Sequence, residues 1–326
     1  MAVASSTPVP TPNGWVQAGT LSVGDYVFAA DGSPCKLTTA HHYKASNCYR
    51  LEMDDAISLV GDQHLAMELQ NFRWRVKNTE YRNRQVTKKR KGFKRPLVKR
   101  TLEQLAEPNA LMHRGLRYEY SLANCQPVQY SWVDLPVPPY VMGIWFATRV
   151  PSGRHSGVGL DVEAIRKRMR GSGFYMAVRK HKNGKPVLQF RPSIKESFLF
   201  ADALPPSDIP SQYMHASVEQ RQELLDGLID GRFVVNYKNT PDYVGTFKAY
   251  GDARMLQELV ESLGIKSTLS YRARDRSYFL KFCHKSTNPF FYRRFLRKIE
   301  KVEPVECSHL LSDRPILVGE GFLAVC

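Results

Sequence analysis

Two apolar runs with a small residue at every fourth place constrain this chain more than anything else in it. They are Tyr140-Val141-Met142-Gly143-Ile144-Trp145-Phe146-Ala147 and Glu223-Leu224-Leu225-Asp226-Gly227-Leu228-Ile229-Asp230-Gly231-Arg232-Phe233. On a helix, Gly143 and Ala147 fall on one side, as do Gly227 and Gly231. Each run then presents a smooth stripe, and two such helices can approach almost backbone to backbone. The segment 218–225 reads as the amphipathic front of the second helix. Either run alone would pass for a buried helix with two convenient glycines. Together they predict a helix pair.

The segments that follow repeat as well. After the first run come a strand at 156–160, a helix capped by Asp161 and ended by Gly171-Ser172-Gly173, and strands at 174–180 and 185–191 joined through Asn183-Gly184. After the second come a strand at 243–250, a helix from Asp252 ended by Gly264, and strands at 266–272 and 277–283. The leading glycines, Gly143 and Gly227, stand 84 residues apart. Each copy is one module of a repeat.

Leu225–Phe233 resembles the nine-residue signature of LAGLIDADG homing endonucleases, and Val141–Arg149 resembles a degraded first copy. The resemblance implies two signature helices packed at a pseudo-twofold axis, sheets on either side straddling double-stranded DNA, and an acid at signature position eight of each helix holding a metal. Here those positions are Thr148 and Arg232, so both carboxylates are missing. Asp230 precedes Arg232 by two places, about 200° round a helix, and would point elsewhere. Arg232 also puts a fixed positive charge where the cation must sit. At about 4 Å and an effective dielectric of about 20, two unit charges repel by about 4 kcal/mol. Mg²⁺ is the expected cofactor if cleavage persists, and otherwise none; no metal-ligand set is read from the chain.

A net charge of +16 and a pI near 9.6 favour a polyanionic partner. No apolar run approaches the roughly 18 residues that span a bilayer, so no membrane role is expected. Six cysteines are scattered without a Cys-x-x-Cys pair, which suggests neither a zinc ribbon nor a disulfide framework but a reducing, intracellular setting. Positive charge concentrates at 73–100, a basic run including Arg90 and Lys91 interleaved with Trp74, Tyr81 and Phe93. It reads as a DNA-contacting extension that would gain affinity through counterion release. Further candidates lie on the repeat strands: Arg179, Lys180, Lys182, Lys185 and Arg191 in the first copy, and Lys248, Arg272, Arg274, Arg276 and Lys281 in the second. These would face away from the helices as ribbons narrow enough for a major groove.

Many short strands in the first sixty-odd residues suggest a barrel or sandwich. Ser6–Trp15, Leu21-Ser22-Val23-Gly24-Asp25-Tyr26-Val27, Ala30-Asp31-Gly32 and Asp62-Gln63-His64-Leu65 resemble the start of a Hint (intein-type splicing) domain. Segments 301–307 and 316–323 resemble its two closing strands. That resemblance puts the splicing nucleophile at Ala2, which has no nucleophilic side chain. It puts the histidine that protonates the scissile amide at His64, the survivor of a Thr-x-x-His block. It puts Cys307 near the block that supplies the attacking cysteine in inteins lacking a first-residue nucleophile. Ala66 stands where that class has a tryptophan. A buried structural cysteine is the plainer reading of Cys307.

The expected fold is therefore mixed: an all-β Hint domain interrupted by an α+β LAGLIDADG domain with two pseudo-twofold-related repeats. The boundaries expected are 1–134, including the basic extension, then 135–292 (repeats 140–200 and 217–290), then 293–326. The chain is expected to act as a monomer on a long duplex site. Three functions stay open: DNA binding with cleavage and splicing impaired, active cleavage through non-standard residues, and an intein with residual splicing through Cys307.

Overall fold

The computed structural model describes residues 2–71, 97–108, 110–113, 117–149, 155–181, 184–200, 208–236, 242–283 and 293–326. The basic run falls outside these residues from 72 to 96, and so do Arg90, Lys91 and Lys182. Seven helices are described: α1 (Leu102–Leu105), α2 (Pro139–Thr148), α3 (Val162–Met169), α4 (Ile194–Phe200), α5 (Ser211–Met214), α6 (Val218–Asp230) and α7 (Tyr250–Ser262). None of these helices is long and apolar enough to cross a membrane.

The fold is mostly β, built on a curled nine-stranded sheet. Its strand order is Leu97–Thr101, Ala66–Asn71, Tyr120–Ala123, Arg293–Val302, Cys48–Met53, Ser58–Asp62, Ala2–Ala4, Glu306–Leu311 and Thr39–Lys44. The curl is visible in one contact: Tyr43 donates from its hydroxyl to Asp62 Oδ2 at 2.5 Å. Their strands are three places apart in the sheet, which would be about 14 Å if it were flat. Alternation along these strands fills one core with Val3, Leu51, Leu59, Met67, Leu122, Leu296 and Leu310. Residues from both ends of the chain build it, so the segment 137–282 is enclosed between them in sequence and keeps a core of its own.

That second core is organised by α2 and α6. Every residue of α2 except Ala147 is buried, as expected of a helix apolar all round. It starts with Pro139 in its first turn, where a missing N–H costs nothing. Helix α6 starts with a capping box, Ser217 and Gln220 each bonding the other's backbone N–H. A Cβ on Gly227 would lie 2.3 Å from the Tyr140 carbonyl oxygen, and one on Gly143 2.5 Å from that of Leu224. The small-residue stripes meet backbone to backbone.

Around this pair the two copies share a topology. In the first, strands His155–Ser156, Pro186–Arg191 and Tyr175–Lys180 lie in that order, with α3 between the first and the third in sequence. In the second, Asp242–Phe247, Ser277–Cys283 and Ser267–Arg272 lie in the corresponding order, with α7 in the place of α3 and a short strand, Val235–Asn236, added at the edge. Several boundaries differ from expectation. The strand expected at 156–160 ends at Ser156, because Gly157 turns the chain and Gly159 sits at φ 74°. Helix α7 begins at Tyr250, two residues early. The closing strand expected at 301–307 breaks between Val302 and Glu306 around Pro304, and that expected at 316–323 is a hairpin of Ile316–Val318 with Leu323–Val325.

The two cores join through buried polar contacts. Arg294 pairs with Asp55 at 2.6 Å and with Glu261 at 3.2 Å, and all three are buried. Lys266 reaches Asp54 at 2.6 Å. Trp15 donates from Nε1 to Glu258 Oε1 at 2.8 Å, and His215 stands 3.7 Å from the same oxygen. Burial alone would raise the Glu258 carboxyl, but nearby His215 and the bond from Trp15 bring it below the usual glutamate range. A carboxyl held low in the folded state stabilises it above the ordinary glutamate pKa, and that stability is lost as pH falls through the depressed value. Acid titration of tryptophan fluorescence should therefore show a transition below about pH 4.5 that Trp15→Phe removes. The same transition persisting in Trp15→Phe would contradict the assignment.

Candidate functional site

Two places gather the residues that the sequence singled out. The first is the end of the helix pair. Thr148 closes α2 and is buried; its hydroxyl bonds the Ile144 carbonyl at 2.8 Å and lies 3.2 Å from His155 Nδ1. Helix α6 stops at Asp230, and Gly231 caps it. Arg232 is therefore not on the helix, contrary to expectation, but beyond it at φ 63°, a left-handed backbone that side chains other than glycine adopt at a cost. That turn sends its guanidinium across to the first repeat, where Nη1 stands 3.0 Å from the position a Cβ on Gly159 would take.

The two acids within Leu225–Phe233, Asp226 and Asp230, are already paired. Arg168 binds Asp226 at 2.7 Å and Asp230 at 3.0 Å. Tyr140 also donates to Asp230 at 2.7 Å. Asp230 is thus engaged on the flank of the pair. Among the described residues no three His, Cys, Asp or Glu side chains gather to hold a metal ion. A divalent cation wants several oxygen ligands, mostly carboxylate. A hydroxyl spent on its own helix and a guanidinium do not fit one.

The strands flanking the pair carry the basic residues, with differences among them. Arg179, opposite Val187, and Arg191, opposite Tyr175, lie on the sheet face away from buried Leu188 and Phe190. Lys180 has the parity of the buried face and is exposed only because it ends its strand, so it does not face outward as expected. In the second copy Arg272 lies over the Phe279 ring at 3.5 Å, and Lys281 pairs with Asp242 at 2.8 Å. Lys248 donates to the Asp275 carbonyl at 2.6 Å. Arg274 and Arg276 are on the exposed turn between strands rather than on a ribbon.

The second place is the sheet face opposite the first core. Strand register puts Ala2 across from His309, and His309 across from His41. In the neighbouring row Ala4 is across from Cys307, and Cys307 from Tyr43. Directly paired residues share a face, so these side chains line one surface. Asp62 and Cys48, themselves a pair, complete it. Ala2, Ala45, Cys48 and Cys307 form a small buried cluster there. Burial pushes the Cys307 thiol up to about 12, with neighbouring Cys48 adding to the rise. Burial also lowers His309, favouring the neutral ring.

His64 sits on the turn just past the Ser58–Asp62 strand and is exposed. Its Nε2 is 3.0 Å from the Gln63 amide nitrogen, and its backbone N–H donates to Asp62 Oδ1 at 3.2 Å. Gly61, in place of the block's threonine, leaves room that a side chain would take, since a Cβ there would be 2.8 Å from the Ala2 carbonyl oxygen. Sequence reasoning found Ala2, His64 and Cys307 but missed His309, Asp62, Tyr43 and Cys48. The expected strand stopped at Cys307, whereas the observed strand runs Glu306–Leu311, so the alternation Cys307-x-His309 was the signal that a longer strand would have offered.

No family model matches this chain. It is 25% identical over 287 residues to the replicative DNA helicase DnaB of Mycobacterium intracellulare, covering 85% of this chain and 45% of that protein. Against the replicative DNA helicase DnaB of Mycobacterium leprae (strain TN) it is 38% identical over 65 residues, 19% of this chain and 11% of that protein. The chain thus spans less than half the length of the curated relatives it matches. Among solved structures, the MchDnaB-1 intein is 34% identical, covering 21% of this chain and 52% of that one at a TM-score of 0.20. The Msm DnaB1 intein splicing domain bound with zinc is 31% identical, covering 21% of this chain and 54% of that one, also at 0.20. Over about a fifth of its length, the chain is similar to intein splicing domains.

Proposed function

We propose that residues 135–292 form a LAGLIDADG-type module that binds a long duplex DNA site without cutting it, carried on an intein-like splicing module. The observation that carries this reading is the end of the glycine-packed helix pair. There a buried threonine hydroxyl and a guanidinium stand where a cutting enzyme of that type needs two metal-holding acids. Arg232 is suited to hold a phosphate oxygen, and Arg179, Arg191 and Arg272 offer exposed charge on the flanking sheets. Such binding releases counterions, so affinity for duplex DNA should fall linearly on a log–log plot with salt, by about 0.9 per phosphate contacted. The combined variant Arg191→Ala with Arg272→Ala should bind more weakly and lower that slope by about 2. An unmodified chain whose DNA affinity ignores salt would defeat the reading.

A second reading is favoured by Cys307 sharing a buried face with Ala2. In it, Cys307 accepts the acyl group from the peptide bond that precedes Ala2. The Cys307 S–C bond forms, the C–N bond to Ala2 breaks, and the proton lost from the thiol balances the one gained by the Ala2 nitrogen. A thiol near 12 makes this slow at neutral pH, in keeping with impaired splicing. With a reporter protein fused ahead of Ala2, hydroxylamine should release the reporter, and Cys307→Ala should abolish the release. Undiminished release from Cys307→Ala would exclude the reading.

A further inference from the structure

We infer that His309 carries the proton between Cys307 and the nitrogen of Ala2, an inference that rests on the second reading above. Four side chains are candidates, and position separates them. Asp62 is spent: it accepts from the Tyr43 hydroxyl through Oδ2 and from the His64 backbone through Oδ1. His64, the histidine that the splicing resemblance nominates, lies past its strand end, exposed, with Nε2 against Gln63. His309 alone is both the cross-strand partner of Ala2 and two residues along the same strand face from Cys307. His41 lies beyond it on the last strand of the sheet, opposite His309 and one place further from Ala2.

The exchange then balances within the site. The Cys307 Sγ proton passes to a ring nitrogen of His309, the sulfur bonds the carbonyl carbon, the C–N bond breaks, and the imidazolium returns the proton to the Ala2 nitrogen. Neutral imidazole is what such a relay needs at rest, and the half-buried position of His309 favours it. Proton transfer by a placed side chain is worth about 10²–10⁴ in rate.

The test uses the full chain with a reporter fused ahead of Ala2, and reads hydroxylamine-trapped release. His309→Ala should slow release at least about 100-fold, with an unchanged melting temperature, and added imidazole should restore part of the rate. His309→Gln, which keeps the size of the side chain and cannot relay, should behave as His309→Ala does without imidazole. Release within twofold of the unmodified chain in either variant overturns the inference, as does a loss that imidazole leaves untouched. If Cys307→Ala alone stops release, the second reading survives that failure. If release persists without Cys307, both fall together.

Discussion

Gly227→Ala is expected to destabilise the repeat module by about 3 kcal/mol or more, a severe loss for a single methyl group. The added carbon would sit 2.3 Å from the Tyr140 carbonyl oxygen, 3.0 Å from Gly143 Cα and 3.1 Å from the Ile144 nitrogen, all of them backbone. No side chain can rotate away to admit it, so α2 and α6 must separate. Separation opens gaps along a contact lined by Ile144, Leu224 and Leu228, each fully buried. Gly251→Ala is the control, since nothing lies within 4 Å of a Cβ there. Urea denaturation of the two variants should show a large fall in midpoint for the first and almost none for the second. Equal midpoints would mean that the helices do not meet as described.

Arg294→Met should cost about 3–5 kcal/mol, because it leaves two buried carboxylates without their cation. Asp55 belongs to the turn joining the strands that carry Cys48 and Asp62, while Glu261 belongs to α7 of the repeat module. Burial already pushes the Glu261 carboxyl up, with Arg294 opposing the rise, so removing the arginine favours protonation of that acid. Variant stability should therefore recover in part as pH is lowered. The exposed pair Arg297–Glu52, 3.5 Å apart, supplies the contrast. Arg297→Met should change stability by less than about 1 kcal/mol. Thermal unfolding of both variants decides the matter, and a mild effect of Arg294→Met would show that the modules are not held by this triad.

The helix pair and the repeat could be read from residues because their signals are local and backbone-imposed. Glycine at every fourth place forces a close helix contact, Asp161 caps the helix it precedes, and Gly171 and Gly264 take the left-handed turns that end helices. The errors came where a neighbour decides the local shape. Arg232 left its helix because Gly231 caps it, and the 156–160 strand stopped short where Gly157 and Gly159 make room for Leu188 and for Arg232. Pro304 interrupted one closing strand, and the turn from Gly319 to Phe322, both at positive φ, folded the other into a hairpin. The face shared by Ala2, Cys307 and His309 was only half legible. Its residues come from five strands spread from Ala2 to His309, and sheet register, which brings them together, is set by pairing that no local window contains.

Central to this account is the proposal that the ends of the helix pair hold a phosphate rather than a metal. Incubating the chain with a plasmid library and a random duplex pool, in Mg²⁺, in Mn²⁺ and in chelator, tests this most directly. The expected result is duplex retained in all three conditions, no strand cut in any, and weaker retention by Arg232→Ala. Metal-dependent cutting by the unmodified chain, or no retention of duplex at all, would contradict it.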